Sequence, residues 1–127
     1  MIQANDLRVG NIVLYIYSGF SESSIIRIND IGNIAVWGSD SDGKYLINLK
    51  NIIPIQLTKE ILLKCGFELN LEKTLFIIKS CGLMLMDVKG LYYMANSLVK
   101  TDIKYLHQLQ NLYYALTGVE LQVNISI

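Results

Sequence analysis

Short runs of β-branched and aromatic residues, each closed by Gly, Ser, Asn or Asp, fill the first fifty positions. Residues 11–17 (Asn-Ile-Val-Leu-Tyr-Ile-Tyr) have the composition of a pleated, partly buried strand, with Gly10-Asn11 before them and Ser18-Gly19 after. A polar turn at Phe20 to Ser23 leads into Ser24-Ile25-Ile26-Arg27-Ile28, and Asp30 to Gly32 brackets the next turn. Residues 33–37, ending in Val36-Trp37, and residues 44–48 predict two more strands. Between them the Asp42-Gly43 step marks a hairpin turn. Four short antiparallel strands in this space predict a small SH3-like barrel.

The pattern changes after Pro54, which holds Ile53 extended and marks a passage between lobes. Thr58 is placed to cap a short helix over 59–65, with Glu60 in its first turn, Lys64 in its last and Gly66 as its stop. Residues 67–71, 75–80, 83–88 and 91–95 predict an antiparallel meander, with turn residues between them. One of these runs, Leu83-Met84-Leu85-Met86, does not alternate. A run of this kind reads first as burial on both faces, and second as an exposed face meant for a partner.

Thr101 then caps the longest predicted helix, 102–116, with Gly118 just past its end. Ile103, Leu106, Leu109, Tyr113 and Leu116 form its apolar stripe, with Leu112 beside it. Lys104, His107, Gln108, Asn111 and Tyr114 fall on the other side, so His107 is expected in solvent. Residues 119–127 alternate strictly and predict a final strand. The fold class is therefore α+β, with a β-rich SH3-like lobe at 1–57 and an α+β lobe at 58–127 forming one compact unit.

Composition narrows the function classes. The chain has 127 residues, of which 52% are apolar, and a single proline, so a well-filled core is expected without disulfide or metal. Eleven basic and eleven acidic residues cancel. They also cancel locally, with four basic and five acidic in 1–57 and seven and six in 58–127. Such balance lacks the footprint of general nucleic-acid binding. No apolar run is long enough to cross a membrane. The opening residues lack the regions of a secretory leader, so a cytoplasmic protein is expected.

Candidate chemistry is sparse. His107 is the one histidine, and Cys65 and Cys81 have neither zinc-ligand spacing nor a histidine pair, so the thiols read as reduced packing groups. A Cys/His nucleophile assembled only by the fold is the least favoured reading. Asp40-Ser41-Asp42-Gly43 is turn chemistry rather than a calcium loop, because the twelve-residue ligand pattern and its closing glutamate are missing. No phosphate loop occurs and no cofactor or metal is expected. The eight tyrosines are more informative, although most should pack in the core. With Tyr113 inward, Tyr114 lies near the surface beside Asn111 and His107. An amphipathic ring in that position suits an interface. The candidate partner-binding residues are His107, Asn111 and Tyr114, with Trp37 beside the polar turn as a second site.

Three stretches carry a resemblance. They are residues 4–13 (Ala-Asn-Asp-Leu-Arg-Val-Gly-Asn-Ile-Val), residues 54–58 leading into 62–68, and the block 105–121 beginning Tyr-Leu-His-Gln-Leu-Gln-Asn-Leu-Tyr-Tyr. In these the chain resembles small uncharacterised phage, prophage and mobile-element proteins of Bacteroidota. The resemblance implies a non-enzymatic accessory protein that binds a host protein or ribonucleoprotein complex. One implied role is an anti-CRISPR inhibitor of an RNA-guided RNase of the Cas13b kind. No catalytic residue comes with the resemblance. A small nucleic-acid-binding accessory protein using the β-rich lobe is the alternative. Oligomeric state is left open.

Overall fold

A computed structural model describes residues 2–16, 22–95 and 102–127. The fold class is α+β, as expected: two antiparallel sheets and two helices.

The first sheet contains β1 (Ile12–Tyr15), β2 (Ser24–Ile31), β3 (Ala35–Asp40), β4 (Gly43–Asn48) and β5 (Ile52–Ile53), ordered β4-β3-β2-β1-β5. It differs from the expected barrel in two respects. A fifth strand comes from the passage before Pro54, where Leu14 pairs with Ile53 and Tyr15 with Ile52. The sheet also stays open, because β4 and β5 occupy opposite edges instead of pairing with each other. The β3–β4 turn forms as expected, with Asp40 Oδ1 accepting from the N–H groups of Asp42 (2.8 Å) and Gly43 (3.1 Å). Ile26 crosses Gly38 closely: a β-carbon there would lie 2.5 Å from Ile26 Cδ1 and would make that side chain shift.

Period-two alternation sorts this sheet into two faces. Val13, Tyr15, Ile26, Ile28, Val36, Ile47 and Ile52 enclose one core, completed by Ile2, Leu7 and Leu49. On the other face Ile12, Leu14 and Ile25 pack into the second core, whereas Trp37 and Leu46 are left exposed.

Thr58 caps α1 (Lys59–Lys64) as predicted, its Oγ1 accepting from the Ile61 N–H at 3.2 Å, and Gly66 takes the left-handed φ of +90°. The meander follows as β6 (Glu68–Leu69), β7 (Leu75–Ile78), β8 (Leu83–Val88) and β9 (Leu91–Met94). A fifth strand, β10 (Asp102–Ile103), pairs with β9 and completes the second sheet in the order β10-β9-β8-β7-β6.

That strand corrects the predicted start of the long helix. Asp102 and Ile103 are held by Tyr93 and Tyr92, and α2 runs from Leu106 to Thr117. The predicted Thr101 cap lies outside the described residues, as do Phe20 and Ser21 of the predicted turn. Gln108 Oε1 accepts from the N–H groups of Lys104 (2.9 Å) and Tyr105 (3.2 Å) at the helix start. Gly118 ends it at φ +73°, as expected.

The predicted final strand is also corrected. Residues 119–127 join neither sheet. Their alternation still places Leu121, Val123, Ile125 and Ile127 against the second core, and the Asn124 N–H donates to the Lys64 carbonyl at 2.9 Å. An alternating pattern specifies which side faces the core, and any apolar surface can satisfy it without a neighbouring ladder.

Candidate interaction surface

The helix trio proposed from spacing is largely occupied inside the molecule. His107 is only 4% exposed, which corrects its expected place in solvent and as an outer-face contact. Its ring stacks on Tyr105 (centroids 5.8 Å apart, planes at 10°), and its Nδ1 is buried without a hydrogen-bond partner. Burial pushes the imidazole below its ordinary pKa, while the nearby Asp6 carboxylate works in the opposite direction. Asn111 is half-buried; its Oδ1 accepts from Asn11 Nδ2 at 2.8 Å and its Nδ2 donates to the Asp6 carbonyl at 3.3 Å. Tyr114 remains at the surface, under the Arg8 guanidinium at 4.2 Å from its ring centroid.

These contacts belong to a polar seam between α2 and the start of β1. At its centre is Gln110, fully buried, which the helical pattern had not singled out. Its Oε1 accepts from the Ile12 N–H (2.8 Å) and its Nε2 donates to the Gly10 carbonyl (3.1 Å), so the side-chain amide stands in for a neighbouring strand. Asn11, also fully buried, accepts from the Arg8 N–H at 2.7 Å. Arg8 grips Glu120 with both Nη atoms of its guanidinium, Nη2 lying 3.0 Å from Oε2, and this hydrogen bonding holds the Glu120 carboxyl below its ordinary pKa. Residues 4–13 and 105–121 supply both sides of this seam.

The helix is thus covered on two sides. Its buried positions are Leu106, His107, Leu109, Gln110 and Tyr113, while Leu116, expected in the core, is exposed. Tyr113 packs inward, with its Oη 2.9 Å from Ser80 Oγ.

A cleft of about 330 Å³ opens beside His107, bordered by Asp6, Tyr105, Gln108, Pro54 and isoleucines including Ile2. Among its described lining residues there is one carboxylate and one imidazole, and no Ser, Thr, Cys or Lys nucleophile. Cys65 lies elsewhere, in the second core, where burial pushes its thiol up to about 12. At neutral pH that leaves the thiol protonated and unreactive. Cys81 is exposed and free. Among the described residues no three His, Cys, Asp or Glu side chains gather as a metal site requires. No described helix is long and apolar enough to cross a membrane.

Trp37 belongs to a different surface. It sits on β3, within the strand expected over residues 33–37, 40% exposed on the outer side of the first sheet, directly opposite Leu46 of β4.

A second apolar surface among the described residues is the outer face of the second sheet. Phe76, Ile78, Leu83, Leu85, Tyr92 and Ile103 point into the core. Their neighbours in sequence point out, and the register pairs them across the strands: Leu75 with Met86, Ile77 with Met84, Met86 with Tyr93, Val88 with Leu91. Met86, Val88 and Leu91 are 37–41% exposed, and none of these outward residues packs on either core. Leu83–Met86 is therefore not buried on both faces: Leu83 and Leu85 are in the core, Met84 is half-buried and Met86 is exposed.

Two ion pairs flank this face. Glu68 pairs with Lys79 at 3.3 Å beside β7, and Asp102 with Lys104 at 3.5 Å beside β9. The available sequence signal was that both parities of β7 and β8 are apolar. Periodicity alone did not decide which parity meets the core.

No family model, curated protein or solved structure matches this chain.

Proposed function

We propose that the protein is a non-enzymatic binding module that docks on a partner protein through the outer face of the second sheet. One observation carries this reading: exposed Met86, Val88 and Leu91 and half-buried Leu75, Ile77, Met84 and Tyr93 share one face of the sheet, flanked by paired charges of both signs. An apolar centre with a polar rim is the anatomy of a protein interface. The two methionines at its middle let the surface adapt to the shape it meets. The chain's net charge of zero suits neither a phosphate backbone nor an anionic membrane.

The resemblance to phage and prophage proteins supplies the biological context for this reading. There the partner is a host protein or ribonucleoprotein complex, and the consequence is inhibition of bacterial immunity, with an RNA-guided RNase of the Cas13b kind as the candidate target.

The test compares wild type with Met86→Glu, Trp37→Ala and Tyr114→Ala, each first checked for a native melt. Each is used to capture partners from a Bacteroidota host, and the captured species is then purified and titrated alone. A burial-dependent anchor should cost about 2 kcal/mol, roughly 30-fold in Kd, for Met86→Glu, with much smaller losses for the other two. Equal binding by Met86→Glu removes the sheet face from consideration. Capture of nucleic acid that is released steeply by salt would favour the nucleic-acid alternative instead.

A further inference from the structure

Three of the four edges of the two sheets are two-residue strands: β5, β6 and β10. Short edges are an ordinary protection against unwanted strand pairing. The fourth edge, β4, is six residues long.

Its hydrogen-bond parity can be read from one contact. The Leu49 N–H donates to the Ile34 carbonyl at 2.9 Å, and the register continues this series through Val36/Ile47 and Gly38/Tyr45. Bonded and non-bonded pairs alternate in an antiparallel ladder, so the N–H and C=O of Lys44, Leu46 and Asn48 point away from β3. All three residues are exposed. Donors and acceptors at that spacing match another strand's backbone.

The side chains of the same three residues share the outer face with Trp37. Leu46 is 57% exposed beside it. Lys44, the one charge on the strand, places its Nζ 5.5 Å from the Trp37 ring centroid. The charge is thus drawn back over the sheet rather than standing across the edge as a guard.

We propose that β4 pairs antiparallel with β4 of a second copy, about a two-fold axis at Leu46. This symmetric register engages all three outward-facing residues: Leu46 meets Leu46, and Lys44 meets Asn48 of the other copy. A register centred on Lys44 would set two lysines face to face. In the Leu46 register the Trp37–Leu46 pairs of both copies merge into one apolar strip, and two five-stranded sheets become one of ten strands. The contact is isologous and closed, which yields a dimer rather than a fibre. It lies on the first sheet, so it stands or falls independently of the proposed partner face.

Sedimentation of the full chain between about 10 µM and 1 mM tests this, because a small interface should give a Kd on the order of 100 µM. The expected mass rises from 14.4 kDa towards twice that value. Leu46→Pro removes an outward N–H and leaves the β3 ladder intact, so it should stay monomeric at every concentration with native circular dichroism. Should that variant fail to fold, Leu46→Lys keeps the backbone and sets two lysines opposite each other, with the same expected loss. Asn48→Asp keeps the acceptor that now caps the Lys50 N–H at 3.1 Å and places a carboxylate opposite Lys44. Two such exposed pairs should tighten the dimer about fivefold at low salt. A wild type that stays at 14.4 kDa throughout overturns the proposal, as does a dimer undisturbed by Leu46→Pro and Leu46→Lys. Exchange protection of the Lys44, Leu46 and Asn48 amides that appears only with a different protein would assign this edge to that protein's strand, and would overturn self-pairing.

Discussion

The polar side of α2 and the outer face of the second sheet are opposite in character and opposite in fate. On the helix, Asn111 and Gln110 are polar yet packed, because the chain's first segment lies over them and consumes their hydrogen bonds, while His107 is buried in a stack on Tyr105. On the sheet, Met84, Met86 and Tyr93 are apolar or amphipathic yet outward, because one layer of side chains already fills the core beneath. Polarity therefore does not mark the free surface of this molecule. A buried amide with both groups satisfied serves as structural glue, whereas an apolar row that packs on neither core among the described residues retains free energy to release on binding.

The contrast can be broken most severely at Gln110. Gln110→Ala strands the Ile12 N–H and the Gly10 carbonyl in the interior, at about 1–3 kcal/mol each, so urea melts should show a loss of about 4 kcal/mol. A loss below about 1 kcal/mol would mean the seam is not holding α2 to β1.

His107 gives the next largest effect, seen through pH. Its folded pKa is lowered from 6.5 by burial, so above that value both folded and unfolded chains hold it neutral and stability is unaffected. As pH falls from 6.5 through the folded value, the unfolded chain takes a proton that the folded chain resists, and stability is lost. The slope should approach about 1.4 kcal/mol per pH unit for one proton. Denaturant midpoints between pH 7 and 5 should flatten in His107→Phe; an unchanged slope would assign the acid sensitivity to other groups.

Tyr114→Ala, which removes the ring beneath Arg8, should cost about 1 kcal/mol, measurable by thermal melting at low salt. Smallest of all should be Met86→Gln, within about 0.5 kcal/mol of wild type, since the residue packs on neither core. A large loss there would show that the sheet's outer face is covered within the chain, and the two regions would no longer differ.

Local chemistry was well legible. Thr58 and Gly66 bound α1, Asp40 and Gly43 turn β3 into β4, Gly118 stops α2, and the meander falls close to its predicted limits. Each of these features is decided within a few residues, by a cap, a turn or a positive φ, so the sequence determines it unaided. The α+β class follows from the same local periods.

What the sequence left open depended on neighbours far along the chain. Ile52–Ile53 becomes a strand because β1 offers a free edge, and Asp102–Ile103 becomes one because β9 does. Residues 119–127 alternate like a strand but find a core surface instead of a ladder. Gln110 and Asn11, about a hundred positions apart, are buried because each supplies what the opposite side of the seam lacks. Periodicity reports that a segment has two unlike sides, or two like ones as in Leu83–Met86. Which side is covered depends on the shape of everything else, and that is settled only when the distant segments meet.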